Sequence, residues 1–352
     1  VNFQDIGQAL SSAIRARAGH PAAHPHPDTE LFHAAPLSAA ARAIGEVAVA
    51  HGKLRPNSDP RAVVGYGLNS SDFGLVLSTA MRDLIHVRYQ ASAEHLSFCK
   101  SIPVPNFAPQ EFGSADIEMS LEATPEGSEF KTARIHIEGQ RETARLATFG
   151  RNVAITRQAI VSDELDALTS FFAGIGSAAS LQEAQMIYSM LEGNPTLVDG
   201  ESMFHADHGN IITDSFGEAA LDGAVRALRQ QPTKAGNFAN LRPAVLLVAA
   251  NIEFAARKLV HESGMATAVA AAPYQPVEVV GSPWLAGGRF YLFASPEVAP
   301  VVGRLYLKSS NATSITVGPA ARPENYDGQI LGIRADLGTL PLGRVGCIRG
   351  GV

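Results

Sequence analysis

The sequence predicts an α+β protein, and three observations carry that prediction. Apolar residues recur at three- and four-residue spacing over long stretches, among them Phe73, Val76, Leu77, Ala80, Met81, Leu84 and Ile85, which is the period of a helix with one buried face. Elsewhere the pattern switches to alternation, as in Ile117-Glu-Met-Ser-Leu121, the period of a half-buried strand. Glycine and proline number 32 and 21 among 352 residues, so turns and extended connections are well supplied.

Composition bounds the function. Hydrophobic residues at 46%, charged residues at 18% and a mean hydropathy of +0.05 exclude a disordered chain. No apolar run reaches the roughly 18 residues of a membrane span. A net charge of −6 and a pI near 6.0 argue against a protein that grips nucleic acid, because phosphate binding needs clustered Lys and Arg. Cys99 and Cys347 are far apart and form no C-x-x-C, so they read as free thiols. The start at Val1, with no signal-peptide pattern, fits maturation by cleavage, and a trimmed chain would look the same.

Along the chain, residues 1–71 differ in texture and read as an N-terminal arm: an amphipathic start (Phe3, Ile6, Leu10, Ile14), a His- and Pro-rich stretch, and an Ala-rich helix near 37–49. A helix is expected over 72–98, with Ser70 and Ser71 available as caps. Residues 103–157 read as a long β-hairpin, charged along its middle from Glu118 to Arg145 and short of large apolar residues. Two strands alone are marginally stable, so this hairpin is expected to rest on another subunit. The longest helical signal runs from Ser162 to the Gly193-Asn-Pro195 stop, about 45 Å of rod, with a bend expected at Gly174 and Gly176. Beyond Asn210 the pattern is mixed: helices over 218–230 and 252–262, strands over 244–248, 277–280 and 290–293, a flexible Ala-rich run over 266–272, and alternation again over 329–349.

Chemical motifs are sparse. Gly65-Tyr-Gly67-Leu-Asn-Ser70 is an incomplete nucleotide-binding fingerprint and reads as a connector. His20, His24 and His26 lie between prolines that keep the backbone extended, so they do not converge on one metal. His205-Ala-Asp207-His208 resembles part of a metallohydrolase signature, but Met203 stands where a further histidine is needed, and the pair reads as a hydrogen-bonded turn. Lys131 reads as solvated or salt-bridged. An isopeptide with a neighbour's Asn or Asp would need a buried carboxylate to take the proton. No catalytic, cofactor-binding or metal-binding residue is assigned, and no cofactor is expected.

Several motifs in one order carry a resemblance: Glu126-Gly-Ser-Glu-Phe130, Leu146-Ala-Thr-Phe-Gly-Arg151, Ile155-Thr-Arg-Gln-Ala-Ile160, Asp163-Glu-Leu165, Gly193-Asn-Pro195, Phe204-His-Ala-Asp-His-Gly-Asn210 and Arg242-Pro-Ala-Val-Leu246. Over about 72–350 the chain resembles the major capsid proteins of tailed phages, particularly members encoded fused to a prohead protease. The resemblance implies the Hong Kong 97-type capsid fold: an N-terminal arm (1–71), a peripheral domain (72–102 and 158–210) with a long spine helix, an extended loop (103–157), an axial α/β domain (211–326), and C-terminal strands (327–352) returning to the peripheral domain.

A structural, non-enzymatic role is implied by the same resemblance. Copies of the chain are expected to form the hexamers and pentamers of an icosahedral shell around packaged double-stranded DNA, bound without sequence specificity. Decoration or cement proteins, a portal and a prohead protease are the implied partners. The expected location is the virion, after assembly in the host cytoplasm and without a membrane. Two rivals remain: an encapsulin-like nanocompartment shell, and a metallohydrolase using His205 and His208.

Overall fold

Helices come first in the chain, and their apolar stripes decide how they pack. In the computed structural model α1 is Phe3–Arg17, α2 Pro36–Ala50, α3 Pro60–Asn69 and α4 Ser71–Ser92. The structure describes all residues except 1, 2, 18, 20, 23, 33–35, 114–140, 163, 164, 233–236, 264, 266–275, 309–314, 322–326 and 352. The Ala-rich run expected over 266–272 therefore lies outside the described residues. Asp59 caps α3 by accepting from the Arg61 amide at 2.8 Å, and Ser70 caps α4 by accepting from the Phe73 amide at 3.2 Å. α4 stops at Ser92 instead of continuing to Phe98. Residues Glu94–Ser97 form a separate 3-10 turn in which His95 is buried.

Four strands come next: β1 Cys99–Val104, β2 Gln110–Gly113, β3 Arg141–Ala144 and β4 Ala147–Thr156. A short α5, Arg157–Val161, precedes the 29-residue α6, Leu165–Gly193. Beyond it are β5 Ile211–Ile212, α7 Glu218–Gln230, β6 Pro243–Ala249, α8 Glu253–Glu262, β7 Glu278–Ser282 and β8 Phe290–Ala294. The chain ends with β9 Val302–Leu307, β10 Ile315–Pro319, β11 Gly328–Pro341 and β12 Cys347–Gly350.

Two units result. One holds residues 1–93, 147–182 and 308–337, and the other holds 94–146, 183–307 and 338–352, so α6 and β11 contribute residues to both.

In the first unit α1 packs on α4 and buries Ile6, Leu10 and Ile14. The segment expected as an arm thus buries apolar surface within its own chain. α2 and α3 approach so closely that a Cβ on Gly67 would overlap the Ala41 carbonyl oxygen, and one on Gly45 that of Val63. Gly65 and Gly67 are therefore not a connector. They sit inside α3, where Gly67 is a contact between helices. The sheet of this unit has β11 at its centre, antiparallel to β10 (Ile315↔Ala335 to Pro319↔Leu331) and to β4 (Ala147↔Leu337 to Thr156↔Gly328). Pairing of β4 with β11 corrects the expectation that residues up to 157 belong to the hairpin. Thr148 donates to the buried Asp336 at 2.7 Å across this pairing.

α6 is one unbroken helix, and Gly176 serves close approach: a Cβ there would overlap the Ile85 carbonyl oxygen of α4 and lie 3.0 Å from Arg88 Cβ, whereas Gly174 has nothing within 4 Å.

In the second unit β1 is parallel to β9, and β9 is antiparallel to the end of β11, Gly338–Pro341. A five-stranded sheet runs β5-β12-β8-β6-β7. One of its faces packs α7 and α8 through Ala224, Leu228, Ala256 and Val260. The other packs the end of α6 through Ile187, Tyr188 and Leu191.

The glycine contrast is testable by urea denaturation of the unassembled chain. Gly176→Ala is expected to destabilise by about 1–3 kcal/mol through overpacking, and Gly174→Ala to be neutral or stabilising by up to about 1 kcal/mol. A second test concerns His86 on α4, whose Nε2 lies 3.1 Å from the Ile315 carbonyl oxygen on β10. Burial lowers its pKa below the usual 6.5, with Arg82 adding to the shift and the backbone contact and Asp83 opposing it. The unfolded chain then takes up the proton more readily. The stability contribution is full above about pH 6.5 and is lost as pH falls through that value toward the folded pKa. Melting curves from pH 7.5 to 5.5, a span of about one unit either side of that value, should show a smaller loss on acidification for His86→Gln than for the wild type.

Candidate functional site

The most polar part of the chain is rooted by apolar packing. β2 pairs antiparallel with β3 from Gln110↔Ala144 to Gly113↔Arg141, forming the foot of a hairpin. Phe112 and Ala144 of that foot rest on a cluster of Val104, Leu146, Leu305, Leu340 and Leu342. Residues 114–140, including Lys131, lie outside the described residues.

A turn built by the histidine motif faces the foot. After α6, Asn194 adopts a left-handed backbone (φ 46°), and its side chain accepts from the Phe204 amide at 2.8 Å and donates to the Phe204 carbonyl at 3.1 Å. Between these points a tight loop closes through Leu197 N to Glu201 O (2.8 Å) and Met203 N to Pro195 O (2.9 Å). Buried Asn210 completes the frame, donating to Met203 O at 2.8 Å and accepting from the His205 amide at 3.0 Å. Gly209 takes the left-handed conformation (φ 60°) that ends the 3-10 turn Ala206–His208.

His205 and His208 serve this frame. His205 Nδ1 accepts from the Asp207 amide at 3.4 Å, and its Nε2 lies 3.5 Å from Glu201. His208 is buried, with Nδ1 3.4 Å from the Met203 carbonyl oxygen and Nε2 3.4 Å from Asp199. All four ring nitrogens thus face groups of their own turn. Among the described residues no group of three or more His, Cys, Asp or Glu side chains is arranged to hold a metal. Of the N-terminal histidines, His24 is exposed and His26 Nδ1 accepts from the Asp28 amide at 3.2 Å, while His20 lies outside the described residues.

A hydrogen bond joins the hairpin foot to the turn: the Val198 amide donates to Glu142 Oε1 at 2.8 Å. Burial raises the Glu142 pKa and the nearby Asp199 charge adds to it, while the Val198 N–H opposes the shift.

The same unit holds a buried cluster of ionisable side chains. Glu183 of α6 is 0% exposed; Arg304 of β9 donates to it through Nε at 2.5 Å, and His95 Nε2 lies 3.1 Å from its other oxygen. Arg304 Nη1 also reaches Ser101 Oγ at 3.4 Å, and its guanidinium stands 5.8 Å from the Tyr306 ring centre. Cys99 and Cys347 are buried free thiols; burial raises the pKa of both, and the Glu183 charge adds to the shift at Cys99, so neither is a reactive thiolate. The available signal of the cluster is a glutamate shortly before Met186 and Ile187 on an otherwise apolar helix face.

A family model described as phage capsid protein matches residues 140–349, more than half of the chain. The chain belongs to the phage capsid protein family. The match begins at the returning strand of the hairpin and takes in Glu142, Glu183, the 194–210 turn and Arg304. This capsid subunit is a structural protein, and its place is in the capsid shell. No protein of curated function matches it in sequence. Solved structures similar to it include a phage-related protein from Bordetella bronchiseptica (13% identity, 76% of this chain and 96% of that one, TM-score 0.49). A virus-like particle from Pyrococcus furiosus (9%, 76% and 96%, TM-score 0.46) and the procapsid of bacteriophage JBD30 (14%, 78% and 75%, TM-score 0.41) are others.

The buried cluster yields a double-mutant prediction. Glu183→Leu leaves Arg304 buried without its carboxylate and should cost about 3–5 kcal/mol. Adding Arg304→Met should restore part of that loss, so that urea denaturation shows the double variant more stable than Glu183→Leu alone.

Proposed function

We propose that this capsid subunit is the major head protein of a tailed phage, and that many copies tile an icosahedral shell around packaged double-stranded DNA. The family match over residues 140–349 carries the reading. In it the polar hairpin, whose foot is β2 and β3, is the extended loop that lies over a neighbour. The long helix α6 is the spine of the peripheral domain, and the α/β segment from 211 onward is the axial domain. The segment 1–71 and the C-terminal strands complete a Hong Kong 97-type subunit. The partners are other copies in hexamers and pentamers, with portal, prohead protease and decoration proteins as further candidates, and assembly takes place in the host cytoplasm.

Exposed apolar side chains support burial by neighbours: Leu31 and Val298 are each 71% exposed, Phe238 73% and Phe254 84%. Such side chains are common singly on monomers, and the repeated weak contacts of a closed lattice would cover them. The net charge of −6 suits a wall that encloses DNA without binding it tightly.

The decisive experiment is electron microscopy of the full chain expressed with its neighbouring head genes. Closed shells containing DNA are expected, and shells holding only protein cargo would overturn the DNA-enclosing role. Replacing residues 114–140 by a short Gly-Ser turn, which preserves β2–β3 pairing, should leave a soluble subunit that elutes as before and forms no closed shells. Normal shells from that variant would refute the placement of the extended loop.

A further inference from the structure

We infer that Glu142 and the 194–210 turn form a latch that fixes the direction in which the hairpin leaves the subunit, with Glu142 as its positioning residue. The inference deepens the proposed function, since it rests on the hairpin being an assembly element.

A two-stranded ribbon with four paired positions among the described residues has little stiffness at its root. Phe112 and Ala144 hold the root to the leucine cluster beneath it, and apolar contact is non-directional. Direction must come from a group with fixed geometry. Glu142 supplies it, because its carboxylate accepts from Val198 N–H at 2.8 Å, and a hydrogen bond to a charged acceptor is both directional and comparatively strong.

The donor is held by contacts on both sides. Val198 lies between Leu197, whose amide and carbonyl are both used within the loop (Leu197 N to Glu201 O, Gly200 N to Leu197 O), and Asp199, whose carboxylate lies 3.4 Å from His208 Nε2. Asn194 and Asn210 pin the two ends of the frame through four side-chain hydrogen bonds to backbone. The frame leaves the Val198 N–H free to donate to β3. On this reading the motif Phe204-His-Ala-Asp-His-Gly-Asn210 helps to build a socket, and Glu142 is the peg that enters it.

The test uses the unassembled full chain. Hydrogen exchange at the Val198 amide should be at least about tenfold faster in Glu142→Ala than in the wild type, and within about threefold of wild type in Glu142→Gln, which keeps an acceptor oxygen. Spin labels at Thr143 and Val298, one on the hairpin foot and one on the exposed surface of the same unit, should give a narrow distance distribution in the wild type and Glu142→Gln and a broadened one in Glu142→Ala. Should Glu142→Ala not fold, Glu142→Asp, one methylene shorter, takes its place with the same expected contrast. Unchanged exchange and unchanged distances in the alanine or aspartate variant would overturn the latch. Shell assembly is scored separately. Loss of closed shells in Glu142→Ala with rescue by Glu142→Gln supports the latch as an assembly device. Faster exchange with normal shells would keep the latch and overturn the hairpin's role in assembly.

Discussion

The Glu183 carboxylate, fully withdrawn from solvent, is the constraint on which the second unit depends. An ionised carboxylate in such a place must be paired, and Arg304 and His95 provide the pairing. A well-packed apolar trio would stabilise the same space equally or better, so the effect of the cluster lies in what it specifies. Arg304 and Ser101 are register partners between β9 and β1, and Arg304 also reaches Ser101 Oγ. A slip of one residue would turn Arg304 to the opposite face and strand the carboxylate. The cluster thus ties the 3-10 turn at His95, the parallel β1–β9 pair and the end of α6 to one register.

Close backbone approach plays the corresponding part in the first unit. Gly67 and Gly45 let α2 and α3 meet, and Gly176 lets α6 meet α4. Each works by lacking a side chain, so the contact is made by backbone and leaves no room for a methyl group. A shell subunit that must present the same surfaces to many neighbours gains from such packing, because both the charged register and the glycine contacts define one arrangement sharply.

Much of the fold is legible in the sequence because burial imposes a period. α6, α7, β6, α8 and β8 lie within a few residues of where the apolar spacing puts them, and α4 begins where it is expected although it ends six residues early, at Ser92. β9 and β10 are not legible, being defined through partners distant in sequence. β4 reads as part of the hairpin because alternation shows that a strand has one buried face, and says nothing about which strand lies beside it. Glycines mislead for the same reason: a connector is a fair local reading of Gly65 and Gly67, and the helix that meets Gly67 lies outside the motif. The histidine turn is hydrogen-bonded as its residues suggest, but its relation to Glu142 joins residues that no local pattern links.

By itself the sequence determined a folded α+β chain of modest negative charge, with a long helix, a charged segment short of large apolar residues, and an ordered run of motifs resembling phage capsid proteins. Those features arise from composition, period and local backbone chemistry, all of which act over a few residues. Tertiary structure alone decided that β4 belongs with β11, that Gly176 is a contact, that Glu183 is buried between Arg304 and His95, and that the histidine motif frames the amide facing Glu142. Each of these depends on a partner brought near by the fold, and pairing between distant residues leaves no period in the chain to read.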